Sequence, residues 1–237
     1  MIDIFSTFMK NPWTKISWKT TIADCDKTII SPAYCVQKGV DITNLPEPFS
    51  GNINSHVVCL NLNPGVGKCD VCYTFDKAFL SETIRTLSQD LNSPKTQDQY
   101  MWFIDIRCQK GVLHDGCEWW KKRTKDIAKA ISPIPLNMFV IEYFPYHSQH
   151  SFSFPSLPSD EYRNDLIDDA MNKGKLIVIM RGERLWYGIQ DRSIGQRLRN
   201  YPNLIVLSNP RYVSFTSNTM NASDWKRLVC ELSKPIM

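Results

Sequence analysis

Four polar residues stand where apolar runs give out. Asn63 follows Val57-Val58-Cys59-Leu60-Asn61-Leu62 and opens Asn63-Pro64-Gly65. Glu142 falls late in Met138-Phe139-Val140-Ile141-Glu142-Tyr143, Arg181 follows Leu176-Ile177-Val178-Ile179-Met180, and Asn209 follows Leu204-Ile205-Val206-Leu207-Ser208. An amide is no base at neutral pH, but it can hold a water molecule or read a polar edge. A carboxyl accepts hydrogen bonds and, when protonated, also donates one, and a guanidinium clasps oxyanions. Brought together, such groups would line one polar cleft. The chain offers no seryl or cysteinyl nucleophile motif that would favour a small-molecule hydrolase. The plainer reading of Asn63-Pro64-Gly65 is a turn, since all three residues are common turn formers.

The elements that must present these residues follow from periodicity. The runs at 57–62, 138–143, 176–180 and 204–207 are short and rich in β-branched residues, as in strands buried on both faces. Helices are expected between them, over 76–91, 117–131, from Ser159 or Asp160 as N-cap through 173 with Gly174 as the stop, after Arg181-Gly182, and over 222–233. Tyr100 to Ile106 is a candidate extra strand, 147–160 a Ser/Pro-rich loop, and residues 1–50 an irregular wrap packing aromatics such as Trp13 and Trp18 on the core. Strands alternating with helices, with continuous apolar character, indicate an α/β protein with helices on both faces of a mostly parallel four-stranded sheet. No internal repeat or domain boundary interrupts 1–237. Right-handed crossovers bring all the strand ends to one edge, where open α/β sheets bind ligands.

Composition sets the outer bounds. Across 237 residues the chain is 43% hydrophobic, enough for a substantial core, and its net charge of +4 permits a nucleic-acid partner without arguing for one. No run has the length of a membrane span or the purity of a signal peptide, so a cytoplasmic monomer without a membrane partner is expected. Eight cysteines in such a chain read as free thiols. Cys69 and Cys72 form a CxxC that Cys108, Cys117 and His114 could complete, but the second pair is too loose for a zinc knuckle, and no metal or cofactor is expected. The basic side of the 117–131 helix, with Lys121, Lys122, Arg123 and Lys125, is either a solvated face or a nucleic-acid contact.

In this order the motifs resemble those of the uracil-DNA glycosylase superfamily, over residues 57–213. Asn61-Leu62-Asn63-Pro64-Gly65 is similar to the Gly-Met-Asn-Pro-Gly motif of its single-strand-selective monofunctional branch. Ile141-Glu142-Tyr143-Phe144-Pro145 stands where that family has a base-reading Asn on a strand followed by Pro. Asn209-Pro210-Arg211-Tyr212, then Val213, stands where it has His-Pro-Ser-Pro and an apolar wedge. The resemblance implies an α/β/α glycosylase fold and hydrolysis of the N-glycosidic bond of a nucleotide flipped out of DNA.

On that resemblance Asn63 positions the water, and Asn209 donates to the O2 of the departing base in place of His. Tyr73 or Phe75 would be the aromatic platform, Arg211, Tyr212 and Val213 would enter the vacated stack, and Lys68, Arg181 and Arg184 are candidates for phosphate contact. One departure from the motifs and one match to the single-strand-selective branch redirect the expectation. Glu142 replaces the uracil-reading Asn, and a carboxyl suits the N4 and N3 edge of cytosine. Gly65 stands where the uracil-specific branch has a Tyr that blocks substituents at C5. A bulky C5-modified cytosine is therefore the expected target, with phage defence as the setting. A uracil or damaged-pyrimidine repair glycosylase, or a non-catalytic nucleic-acid binder, is the alternative.

Overall fold

The computed structural model describes residues 9–67, 77–90, 115–149, 153–209 and 211–236. Its main sheet is built from β2 (Phe49–Ser50), β3 (Val57–Asn61), β4 (Phe139–Glu142), β6 (Leu176–Ile179) and β7 (Leu204–Val206) in the order β2-β4-β3-β6-β7. β4, β3, β6 and β7 are parallel, as expected from their sequence. The sheet has five strands rather than four, because β2 pairs antiparallel on the outer side of β4. A two-residue strand carries too little periodicity to be read from sequence.

Every residue of β3, β4 and β6 is buried, and alternation sorts them onto two faces. Val58, Leu60, Phe139, Ile141, Ile177 and Ile179 join one core. It is covered by α1 (Pro32–Lys38), α4 (Asp160–Asn172), α5 (Glu183–Tyr187) and α6 (Ile194–Arg199), through side chains such as Cys35, Leu166, Trp186 and Leu198. Val57, Cys59, Val140, Val178 and Ile205 join the other, beneath α3 (Asp115–Ile131) and α7 (Ala222–Leu232). Period-2 burial on both faces is why these strands read as unbroken apolar runs. α2 (Lys77–Leu87) adds Leu87 to the first core.

Local chemistry explains the ends of the elements. α4 stops at Gly174, which has φ of +68°, while Lys175 N–H donates to Ala170 O at 3.0 Å. Ser159 does stand at its N-cap, but its side chain points elsewhere, and Asp160 accepts from Leu157 N–H at 3.1 Å. Gly51 adopts φ of +85° against β4, where a Cβ would lie 1.9 Å from Met138 O. Only glycine fits that approach.

The N-terminal segment is more ordered than an irregular wrap. It supplies α1, β2 and a further strand, β1 (Val40–Asp41), which pairs antiparallel with β5 (His147–Ser148). Residues 147–148 are thus a strand within what the sequence presents as a loop. Trp13 is buried in the core, whereas Trp18 is exposed under Lys19. The candidate strand at 100–106 lies outside the described residues. No helix among the described residues is long and apolar enough to cross a membrane.

Asp26 ties this segment to the sheet edge. Fully buried, it accepts from Tyr146 Oη at 2.8 Å and from Ser159 Oγ and N at 2.7 and 3.0 Å. Asp26→Ala leaves these donors without acceptors and should destabilise the protein by about 3 kcal/mol. Urea denaturation should show a lower midpoint with an unchanged slope. A loss below about 1 kcal/mol would mean that the three donors find other partners.

Candidate functional site

β3 and β4 run parallel in a register that sets Asn61 beside Glu142. Partners in register on adjacent parallel strands project to the same side, so the amide and the carboxyl meet: Asn61 Nδ2 donates to Glu142 Oε1 at 2.9 Å. Both residues are buried, at 6% and 8% exposure. Among the described residues neither Asn61 Oδ1 nor Glu142 Oε2 has a hydrogen-bond partner. A buried pair with one oxygen on each member left over by the described residues matches a ligand that donates to one and accepts from, or donates to, the other.

The pair belongs to a cleft of about 390 Å³ at the carboxyl edge of the sheet. That volume lies within the range of about 300–1,000 Å³ common for small-ligand sites. The same cleft takes in Asn63, Gly65 and Arg181, so three of the four strand-end residues converge as topology requires. Burial is the largest influence on Glu142 and pushes its carboxyl up to about 8. The Asn61 hydrogen bond opposes that shift, the Glu47 carboxylate adds to it, and the Arg181 charge opposes it. At neutral pH Glu142 is therefore mostly protonated and its carboxyl can donate a hydrogen bond.

Asn63 sits on the loop after β3 and is only half-buried. Its Nδ2 donates to Ser148 Oγ at 2.8 Å and to Pro64 O at 3.1 Å. With the amide nitrogen engaged twice, the orientation of the side chain is set and Oδ1 is left as the acceptor. The loop is held further by Ser148 N–H donating to Pro64 O at 3.1 Å and by His147 Nδ1 at 2.7 Å from Gly65 O. The other ring nitrogen, Nε2, lies 3.0 Å from Leu45 O. Both carbonyls can only accept, so the ring donates to one of them in either tautomer and to both only as the imidazolium. Gly65 is exposed, and a Cβ added there would meet nothing within 4 Å.

The remaining candidates divide. Asn209 is exposed and is not among the described residues lining the cleft. Its Oδ1 accepts from the backbone N–H groups of Arg211 and Tyr212 at 3.1 and 3.2 Å, which makes it a turn-forming side chain. Val213, at 1% exposure, is packed in the core under α3 and α7. Its apolar character reflects packing after a turn. Tyr212, 75% exposed, and Arg211 stand free at the surface. Arg184 is exposed at the start of α5, whereas Tyr73, Phe75 and Lys68 lie outside the described residues. So do Cys69, Cys72, Cys108 and His114, while Cys117 is buried at 1% exposure.

Ser148, His147 and Trp119 are site residues that the motifs did not single out, and Asn61 stood in the first motif without a role of its own. Trp119 and Trp120 of α3 line the cleft with their rings edge to face, 4.9 Å apart at 82°. Helical spacing marks Trp120 as core-facing. Its neighbour is drawn to the cleft by the end of the sheet, which no helical period reports.

Fold and site together define an α/β protein with a polar cleft at the carboxyl edge of a mostly parallel sheet. Compared with protein-family models, curated protein sequences and solved structures, the chain matches none.

Linkage gives a direct check on Glu142. Its ordinary value is 4.5, and burial in the folded state raises it to about 8. The folded protein therefore holds a proton that the unfolded chain releases. Its stabilising effect is fully present below about pH 4.5 and is lost as pH rises through about 8. Glu142→Gln keeps the acceptor for Asn61 and removes the titration. Across that interval the wild type should lose stability relative to Glu142→Gln by up to about 1.4 kcal/mol per pH unit. Urea midpoints measured over the same range test this, and parallel curves for the two proteins would exclude a raised Glu142.

Proposed function

We propose that the chain is a monofunctional DNA glycosylase that hydrolyses the N-glycosidic bond of a flipped, C5-modified cytosine. The observation that carries this reading is the pair of spare oxygens on Asn61 and Glu142. Because Glu142 Oε1 already accepts from Asn61, the proton of the neutral carboxyl resides on Oε2. It can donate to N3 of cytosine while Asn61 Oδ1 accepts from the N4 amino group. Uracil presents the reverse, a donor at N3 and an acceptor at O4, and would face a donor with a donor. The open space at Gly65 leaves room for a substituent at C5.

The reaction adds water across one bond. Water oxygen joins the anomeric carbon, the carbon–nitrogen bond to the base breaks, and the base takes up a proton, leaving an abasic sugar and a free base. The free Oδ1 of Asn63 can accept a hydrogen bond from the attacking water, aligning it without acting as a base. Charge on the departing pyrimidine spreads over O2 and N3. A carboxyl O–H donated to N3 stabilises it in a dry site, without requiring the exposed Asn209. Trp119 and Trp120 supply aromatic surface in the cleft, and exposed Tyr212 is the side chain available to fill a duplex gap. This activity on modified phage DNA would serve phage defence.

The turn-forming Asn209 favours a second reading, a nucleic-acid binder on the same cleft without catalysis. One experiment separates the two. Single-stranded and duplex DNA carrying C5-modified cytosine, cytosine or uracil is incubated with the protein, then treated with alkali to cleave abasic sites. Excision of the modified cytosine is expected, with a drop of about 10²-fold or more in folded Asn63→Ala. The wild-type rate should fall above about pH 8, whereas Glu142→Gln, whose amide can still donate to N3, should lose that dependence. Release of uracil alone would overturn the assignment of the base, and binding without any cleavage would favour the second reading.

A further inference from the structure

Two arginines flank one indole beside the cleft. The guanidinium carbon of Arg123 lies 4.6 Å from the ring centroid of Trp119, and that of Arg181 lies 5.4 Å from it. Arg123 comes from the middle of α3 and Arg181 from the residue after Met180 at the end of β6, so the fold, not local sequence, brings the charges together. Among the described residues neither side chain forms an ion pair. Both Nε atoms are buried without an acceptor among those residues. Arg181 has an acidic neighbour in Glu142, but burial keeps that carboxyl mostly neutral at neutral pH.

Two adjacent like charges repel, and buried guanidinium nitrogens without acceptors are costly. Cation–π attraction to a shared indole offsets part of this. Elsewhere a buried arginine is paired within the protein: Arg163 holds Asp160 at 2.8 Å. Arg123 and Arg181 are left for an anion from outside. Guanidinium forks match oxyanions with several oxygens, and two forks beside an indole match a phosphate carried by a group that can stack.

We propose that Arg123, Trp119 and Arg181 form a phosphate-binding subsite on the α3 side of the cleft. It takes a phosphoryl oxyanion, either a bridging phosphodiester of a nucleic acid or the terminal phosphate of a nucleotide. The subsite gives the basic side of α3 a specific role at one residue, Arg123, rather than a general one along the helix. It does not depend on glycosidic cleavage, because unmodified nucleic acid suffices to occupy it.

The test is equilibrium binding by the full chain, with two probes. One is a single-stranded thymidine trinucleotide with hydroxyl ends, whose only anions are bridging phosphates, and the other is thymidine 5′-monophosphate, with thymidine as the uncharged control. Arg123→Gln and Arg181→Gln should each weaken the probe that uses the subsite about tenfold. For the trinucleotide, the slope of log affinity against log salt should fall by about 0.7 for each phosphate no longer neutralised by the protein. A trinucleotide with neutral methylphosphonate linkages should bind as weakly to the wild type as the charged one binds to the variants. Sensitivity confined to the monophosphate assigns the site to a terminal phosphate. Arg123→Lys and Arg181→Lys, which retain charge but not the fork, should fall between wild type and Gln. Removing either unpaired guanidinium should leave thermal stability unchanged or raised, so folding does not confound the comparison. Wild-type affinity and salt slope in both Gln variants, for both probes, would overturn the proposal, whatever the outcome of the excision assay.

Discussion

A hydrogen bond of 2.9 Å between neighbouring strands decides what the cleft can recognise. It exists only because β3 and β4 pair with Asn61 opposite Glu142. Slipping that register by one residue would set Leu60 or Leu62 against the carboxyl and turn the amide to the opposite face. The register is held by Val58 against Phe139 and Cys59 against Val140, all of them buried. A core packed without freedom thus specifies the orientation of two polar atoms at its end. The same bond occupies one carboxyl oxygen and leaves the other, so the pair has a direction as well as a charge.

Around this pair the structure keeps charge apart. Glu142 is driven toward neutrality by burial, and the two guanidiniums nearby therefore lack a strong internal counter-ion. A neutral floor and a cationic side suit a ligand that is itself divided, with a polar uncharged ring and an anionic backbone. The N-terminal segment contributes through β1, whose pairing with β5 positions His147 and Ser148 against the Asn63 loop.

The parallel strands and the helices that cover them were legible because continuous apolar runs and helical spacing are strong signals. Convergence of Asn63, Glu142 and Arg181 followed from topology. Asn61 was not legible as a reader. In a strand buried on both faces an Asn looks like one more member of the run, and nothing in sequence reports which face meets a cleft. His147 and Ser148 lay hidden in a Ser/Pro-rich stretch, since a two-residue strand has no period. Val213 shows the reverse case: an apolar residue after a turn satisfies a motif and a core equally well, and sequence does not report its burial. Asn209 likewise fits a turn and a motif, and its exposed place with Oδ1 on two backbone amides is what a turn residue would show.

The fastening of the Asn63 loop has a consequence for how the molecule meets its ligand. Ser148 holds both the Asn63 amide and the Pro64 carbonyl, and His147 lies between the Gly65 and Leu45 carbonyls, able to donate to one of them in either tautomer. Ordering of the loop is thus part of folding and need not accompany each encounter, which favours binding by lowering its entropic penalty. Such a loop is also poor at accommodating a misfit, because yielding to one would break several hydrogen bonds at once. Selectivity then arises from stiffness: an unsuitable guest is turned away by a wall that does not bend, and only a molecule already of the right shape is retained.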